Sequence, residues 1–302
     1  MSSVLEWFSQ NADVKVNKAL SVEKSAINDP SSGYGLFADL KLIDRIPQET
    51  TVELLRIPRF AKFDLNSLMA LLNDDGQYTS NENKESLQKL VKSVFSEFMQ
   101  LDNLGDILSE TTILVFYFTL FALLRDQFEL PRVIGFYLEN VLLRTKVDSG
   151  VMSYDPEKDS YGQRPHFLAF NYSLQTLGSF FEKTVASSPP VEPLLKQVYA
   201  AVSSRCLEIP EEVNTGSDDF VVNTTLVPAL DYANHDNEMQ NAHFDVDRET
   251  GDVLLLLDMN RLPTEKKKFE VLISYSPDED PASFMFFYGF IPSSAGAPKQ
   301  TN

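Results

Sequence analysis

The apolar period of this 302-residue chain changes twice along its length, and that change limits the folds open to it. From Leu20 to Pro58 short apolar runs alternate with turn residues, as strands do. Gly35-Leu36-Phe37-Ala38 begins one strand, Thr51-Val52-Glu53-Leu54-Leu55 forms another, and turns fall at Pro30-Ser31-Ser32-Gly33 and Pro47. Between Phe60 and about Glu212 the apolar residues recur at three and four. Leu65, Leu68, Met69, Leu71 and Leu72 line one helix, and Leu87, Leu90, Val91, Val94, Phe95 and Phe98 the next. Pro189, Pro190 and Pro193 open a further helix with Leu194, Leu195, Val198, Tyr199 and Val202 on its apolar face. After Pro210 the period returns to two. Phe220-Val221-Val222, Leu226-Val227 and Val271-Leu272-Ile273 read as strands. The turn Glu249-Thr250-Gly251-Asp252 joins His243–Val246 to Val253–Leu257 as a hairpin. The chain is therefore α+β, a β-fold of short strands interrupted by a large helical insertion. The expected divisions are 1–59, 60–215 and 216–292, with a flexible tail at 293–302. Val4–Asn11 is a short amphipathic segment, and the polar stretch Asp148–Arg164 reads as a mobile loop.

Composition removes several classes. The net charge of −18 argues against general nucleic-acid binding, which needs clustered Lys and Arg, and suits either solubility or attraction of a basic partner. One cysteine precludes an internal disulfide and fits a reducing compartment. No signal peptide is visible, and the apolar run 111–124 falls short of the roughly 20 residues that a membrane span needs, so it reads as a buried helix. A soluble protein of the cytoplasm, and also of the nucleus, is expected.

Chemistry concentrates in Leu226-Val227-Pro228-Ala229-Leu230-Asp231-Tyr232-Ala233-Asn234-His235-Asp236, where a short strand runs into a polar elbow. His235, His243 and Asp245 offer metal ligands, and His-Phe-Asp matches two members of a facial iron triad, but no further histidine follows His243. A metal-dependent oxygenase is one reading. Cys206 follows Arg205, which would favour a thiolate, whereas its place at the end of an apolar helix face favours an inert thiol. Gly33-Tyr34-Gly35 precedes a strand rather than a helix, which argues against a phosphate loop and leaves close approach of backbone to a ligand. Tyr275, Phe284, Phe286, Phe287, Tyr288 and Phe290 crowd the end of the sequence. The phenylalanines read as core, and the two tyrosines, whose hydroxyls need partners, as the lining of a narrow channel.

These motifs, in this order, resemble the SET-domain protein lysine methyltransferases, and among them the branch typified by the Rubisco large-subunit methyltransferase, which acts on non-histone proteins. The matching elements are Gly33-Tyr34-Gly35-Leu36-Phe37, Leu55-Arg56-Ile57-Pro58, Phe136-Tyr137-Leu138 in the insert, Ser204-Arg205-Cys206, the strand and Asp231 leading to Asn234-His235, and the closing Tyr288-Gly289-Phe290. The resemblance covers nearly all of the chain to about Pro292. It implies a SET β-fold with a knot-like crossing of the last segment, which would bring Asn234-His235 against Tyr288. It implies S-adenosylmethionine as methyl donor, held by Gly33, Tyr34, Gly35, Arg205, Asn234, His235 and Tyr288. Tyr288 and Tyr275 take the catalytic positions, with no metal and no nucleophilic residue. The acceptor would be a lysine on a protein, and the acidic balance favours a basic one, such as a ribosomal protein or translation factor. The sequence departs from the family at Glu265-Lys266-Lys267-Lys268-Phe269-Glu270, where Gly-Glu-Glu is usual, at Ser276 in place of glycine, and at Asp280-Pro281 in place of asparagine. Relatives continue past Tyr-Gly-Phe into a helical substrate-binding domain, so such a domain is expected beyond Asn302 unless substrate is held differently. An inactive SET-like scaffold that binds a partner is the remaining alternative.

Overall fold

A computed structural model describes residues 4–25, 33–43, 49–146, 148–185, 190–212, 219–263, 267–278 and 280–292. The readings placed at Pro30–Ser32, Pro47, Pro189, Glu265-Lys266 and 293–302 lie outside these residues. The described chain forms two compact units. One takes the residues up to Lys62, those from Arg205 to Asp278, and Pro292; the other takes Phe63 to Ser204 and Asp280 to Ile291.

The first unit holds α1 (Val4–Asn11) and the strands β1 (Lys15–Val16), β2 (Leu20–Lys24), β3 (Tyr34–Asp39), β4 (Thr51–Ile57), β5 (Cys206–Glu212), β6 (Phe220–Leu226), β7 (Asn234–His235), β8 (Ala242–Val246), β9 (Val253–Asp258), β10 (Lys268–Glu270) and β11 (Leu272–Ile273). Four small sheets result, with strand orders β1-β4-β9-β8, β10-β3-β2, β11-β7 and β5-β6. Strict alternation along β9 buries Val253, Leu255 and Leu257, which fixes its register against β4 and β8. Segments distant in sequence share sheets. β4 pairs with β9, and β10 pairs antiparallel with β3.

The second unit is helical, with α2 (Leu65–Asn73), α3 (Asn81–Phe98), α4 (Glu110–Leu124), α5 (Arg132–Asn140), α6 (Gly150–Ser153), α7 (Arg164–Thr184), α8 (Val191–Ser203) and α9 (Pro281–Phe287). Asp64, Ser80, Ser109 and Asp280 cap α2, α3, α4 and α9 by accepting from backbone N–H groups three residues on. α4 is buried on nearly every side after its first turn, as the uncharged run 111–124 requires. Phe98, Phe116 and Phe181 stack through this core at ring separations of 4.4 and 5.2 Å. Among the described residues no helix is long and apolar enough to cross a membrane.

Three local expectations change. The helical stretch ends at Ser203, so Cys206 opens a strand instead of closing a helix face. Phe220–Leu226 is one strand and not two. The polar stretch 148–164 holds α6 and the start of α7, and a single carboxylate organises its end. Asp159 accepts from the backbone N–H groups of Tyr161, Gln163 and Arg164 and from the Tyr154 hydroxyl. Those bonds hold its pKa below the usual carboxylate range against the opposing effect of burial.

Candidate active site

Seven of the eight sequence-predicted site residues lie in the first unit, around a change of strand partner. β10 runs antiparallel to β3 as far as Glu270, opposite Phe37. Val271 then donates its N–H to Leu36 O at 2.8 Å. One residue later the chain has moved to β7, where Leu272 pairs with Asn234 and Ile273 with His235 in parallel. Buried Asn241 stabilises the changeover by imitating a strand. Its Nδ2 donates to Glu270 O at 2.9 Å and its Oδ1 accepts from Leu272 N at 3.1 Å.

The changeover brings the β3 glycine, the elbow asparagine and a carboxylate together. Asn234 Nδ2 donates to Glu270 Oε1 at 2.6 Å, and Ser25 Oγ donates to Glu270 Oε2 at 3.0 Å. Glu270 is buried, and burial pushes its pKa up while the two hydrogen bonds pull it down. Gly35 packs directly on this pair. A Cβ there would lie 2.2 Å from Glu270 Oε1 and 2.8 Å from Asn234 Nδ2, so the side-chain hydrogen is what the arrangement demands. Gly33, by contrast, faces open space, and Tyr34 is 64% exposed.

The preceding elbow is tightly wound. Ala229 is buried with φ +72°, a conformation that L-residues other than glycine and asparagine rarely adopt. The turn that follows, Leu230–Tyr232, carries Asp231, whose carbonyl accepts from Arg205 Nη1 at 3.0 Å and whose fully buried carboxylate pairs with the same atom at 3.3 Å. The Arg205 guanidinium also lies 5.1 Å over the Tyr232 ring. Arg205 is thereby fixed to the elbow and not to the neighbouring Cys206. Desolvation pushes the Cys206 thiol up to about 12, opposite to what a reactive thiolate needs.

His235 is buried, and its Nδ1 accepts from Tyr275 N at 3.0 Å, which leaves the ring proton of the neutral imidazole on Nε2. The Tyr275 ring sits 5.1 Å from that of His235, and its hydroxyl donates to Ala233 O at 2.9 Å. Burial raises the Tyr275 pKa well beyond the ordinary phenol. Tyr275 is therefore a protonated phenol with a committed hydroxyl. It is not a proton acceptor at neutral pH.

Tyr288 belongs to the second unit, where it caps the C-terminus of α9. The sequence reading of an aromatic run missed this helix. Tyr288 N donates to Phe284 O at 2.8 Å, and Gly289 follows with φ +81°, a glycine-dependent helix stop. A Cβ on Gly289 would lie 2.2 Å from the Asp148 carbonyl oxygen. The backbone carrying Tyr288 is thus pinned. His243 and Asp245 stand exposed on β8, and among the described residues no three His, Cys, Asp or Glu side chains are grouped to hold a metal ion.

Sequence reasoning did not single out Glu270, Ser25 or Asn241. A signal existed for Glu270, a lone carboxylate inside the apolar run Phe269-Glu270-Val271-Leu272-Ile273.

The sequence profile of the Ctm1 family, described as cytochrome c lysine N-methyltransferase 1, matches residues 1–300. A protein of that name from Saccharomyces cerevisiae is 38% identical over 299 residues, which cover 98% of this chain and 50% of the relative. Those from Eremothecium gossypii and Kluyveromyces lactis are 36% and 31% identical over 95% and 97% of this chain, and 59% and 58% of their own lengths. The chain thus spans between half and three-fifths of the curated relatives it matches. With nearly every residue inside the family profile, this chain belongs to the Ctm1 family of cytochrome c lysine N-methyltransferases.

Proposed function

We infer that the protein transfers a methyl group from S-adenosylmethionine to the side-chain nitrogen of a lysine on cytochrome c, by a SET-type site. The meeting of Gly35 and Asn234, from two of the motifs that match the SET family, over the Glu270 carboxylate at the strand changeover carries the reading, because it gathers polar groups where the resemblance puts the cofactor. The relatives' names supply the acceptor, in place of the ribosomal or translation protein suggested by charge alone.

The donor set fits the cofactor. Glu270 holds the Asn234 amide by its NH2 and so fixes which way its Oδ1 acceptor faces. Gly33 leaves open space beside exposed Tyr34, and two more residues that the resemblance assigns to the cofactor are fixed at the elbow, His235 by its bond from Tyr275 N and Arg205 by Asp231. When bound, S-adenosylmethionine supplies a sulfonium-borne methyl to the attacking amine and leaves as a neutral thioether. The residues then have two tasks, alignment and removal of water. A lysine must lose its proton to attack, from a reference pKa of about 10.4, and an aromatic wall such as Tyr275 disfavours the ammonium. The proton goes to solvent, since the committed Tyr275 hydroxyl takes none. Tyr288, on its pinned backbone, is the catalytic tyrosine of this reading, its hydroxyl dipole steadying the amine and methyl during transfer.

The test is incubation with methyl-labelled S-adenosylmethionine and cytochrome c, followed by mapping of modified lysines. Label on one defined lysine supports the reading. Saturable cofactor binding without label on any lysine of cytochrome c would remove this acceptor.

A further inference from the structure

The negative charge of the chain is not spread evenly. Between Cys206 and Asp258 stand thirteen Asp and Glu residues and a single basic one, Arg248, so this sixth of the chain carries twelve of the eighteen excess charges. The same stretch exposes the barest apolar run of the first unit. Phe220, Val221 and Val222 are consecutive on β6 and are 42%, 48% and 55% exposed. Successive strand residues point to opposite faces, so three exposed neighbours mean that both faces of the ribbon are bare here. At the other end of the strand Thr225 and Leu226 are fully buried. The ribbon is rooted in the core and bare toward Phe220.

β6 pairs only with β5 among the described residues, with Phe220 opposite Glu212, Val221 opposite Glu211 and Val222 opposite Pro210. Beside Phe220 a groove of about 360 Å³ runs between the ribbon and the β8–β9 turn, with Asp245 and Glu249 exposed along it. Its cations already have partners on the groove. Arg59 pairs with Glu211 at 2.8 Å, buried Lys62 lies 3.9 Å from the same carboxylate, and Arg248 covers one face of the Phe220 ring at 5.3 Å. Asp247, also on the groove, is neutralised by Arg56 at 2.6 Å.

An apolar edge rimmed by carboxylates suits one kind of occupant. A second copy would bring the same carboxylates against it, and an anionic lipid surface would be repelled. We propose that the β5–β6 ribbon and its groove form a docking surface for the basic protein substrate itself, taking an apolar patch on Phe220, Val221 and Val222 and lysine side chains along Asp245 and Glu249. Only the partner's identity rests on the methyl-transfer reading. Charge complementarity speeds encounter, and the aromatic edge lengthens residence.

The test uses the 302-residue protein, folded cytochrome c and a short lysine peptide copied from its modified site. Two double variants are compared with wild type, Phe220→Ser with Val222→Ser, and Asp245→Lys with Glu249→Lys. The charge variant should bind cytochrome c about tenfold more weakly at low salt, with the difference closing at high salt. The apolar variant should weaken binding about tenfold at both. Activity on the short peptide and binding of S-adenosylmethionine should stay at wild-type levels in both variants. Wild-type affinity for cytochrome c in both variants, or equal losses on protein and peptide, overturns the proposal. So does a dimer in solution that the variants abolish. Ribbon-dependent binding without methylation would sink the acceptor reading and leave the docking surface standing, while methylation with unchanged KM in both variants would do the reverse.

Discussion

Asn234 donates its side-chain amide to Glu270 across 2.6 Å, joining the sequence elbow at β7 to the last residue of β10, 36 positions away. The bond orients the asparagine and leaves a carboxylate buried. Because burial raises the folded pKa of Glu270 above its ordinary 4.5, the fold prefers the protonated acid. That contribution to stability is fully present below the unfolded pKa and is lost as pH rises through the folded one. Glu270→Gln keeps an acceptor for Asn234 and removes the titration. Urea midpoints of wild type should therefore fall relative to those of Glu270→Gln as pH rises above the ordinary carboxylate range. Parallel profiles would contradict the burial of charge.

Gly35→Ala places a methyl group into the space that Glu270 and Asn234 occupy. Their displacement should cost about 1–3 kcal/mol of stability. Affinity for S-adenosylmethionine should fall with it, whereas Gly33→Ala, with nothing near, should change stability little. Equal thermal midpoints for the two variants would show that the contact at Gly35 relaxes freely.

Gly289→Ala meets two obstacles at once, the positive φ and the Asp148 carbonyl, and a backbone atom cannot swing aside. A loss of roughly 2 kcal/mol or more is expected. Calorimetric unfolding measures it directly. An unchanged midpoint would mean that Tyr288 is not held by this turn.

The fold was legible where one physical rule governs. The β9 alternation, the periodic faces of α2 and α3 and the all-round apolar α4 each follow from burial of one or more faces. Helix α9 was not, because Phe284, Phe286, Phe287 and Tyr288 mask any period, and only the Asp280 cap and Pro281 mark its start. At the site, glycines and the Asn-His pair were visible as unusual residues. Glu270 was harder to see, because its role depends on strand pairing to Phe37 and on side chains 29 to 245 positions distant. No local pattern encodes such a meeting.

Tyr288→Phe removes one hydroxyl at the end of α9 without touching the Phe284 and Phe290 ring contacts. Methyl transfer should fall by about two orders of magnitude or more, with the thermal midpoint unchanged. Wild-type turnover in this variant would take Tyr288 out of the reaction.

Calorimetric titration of S-adenosylmethionine into wild type and Asn234→Ala tests the site assignment most directly. The expected result is saturable binding by wild type and a loss of at least about tenfold in the variant, from the missing Oδ1 acceptor and the freed Glu270. Equal dissociation constants for the two proteins would contradict the placement of the cofactor at the meeting of Gly35, Asn234 and Glu270.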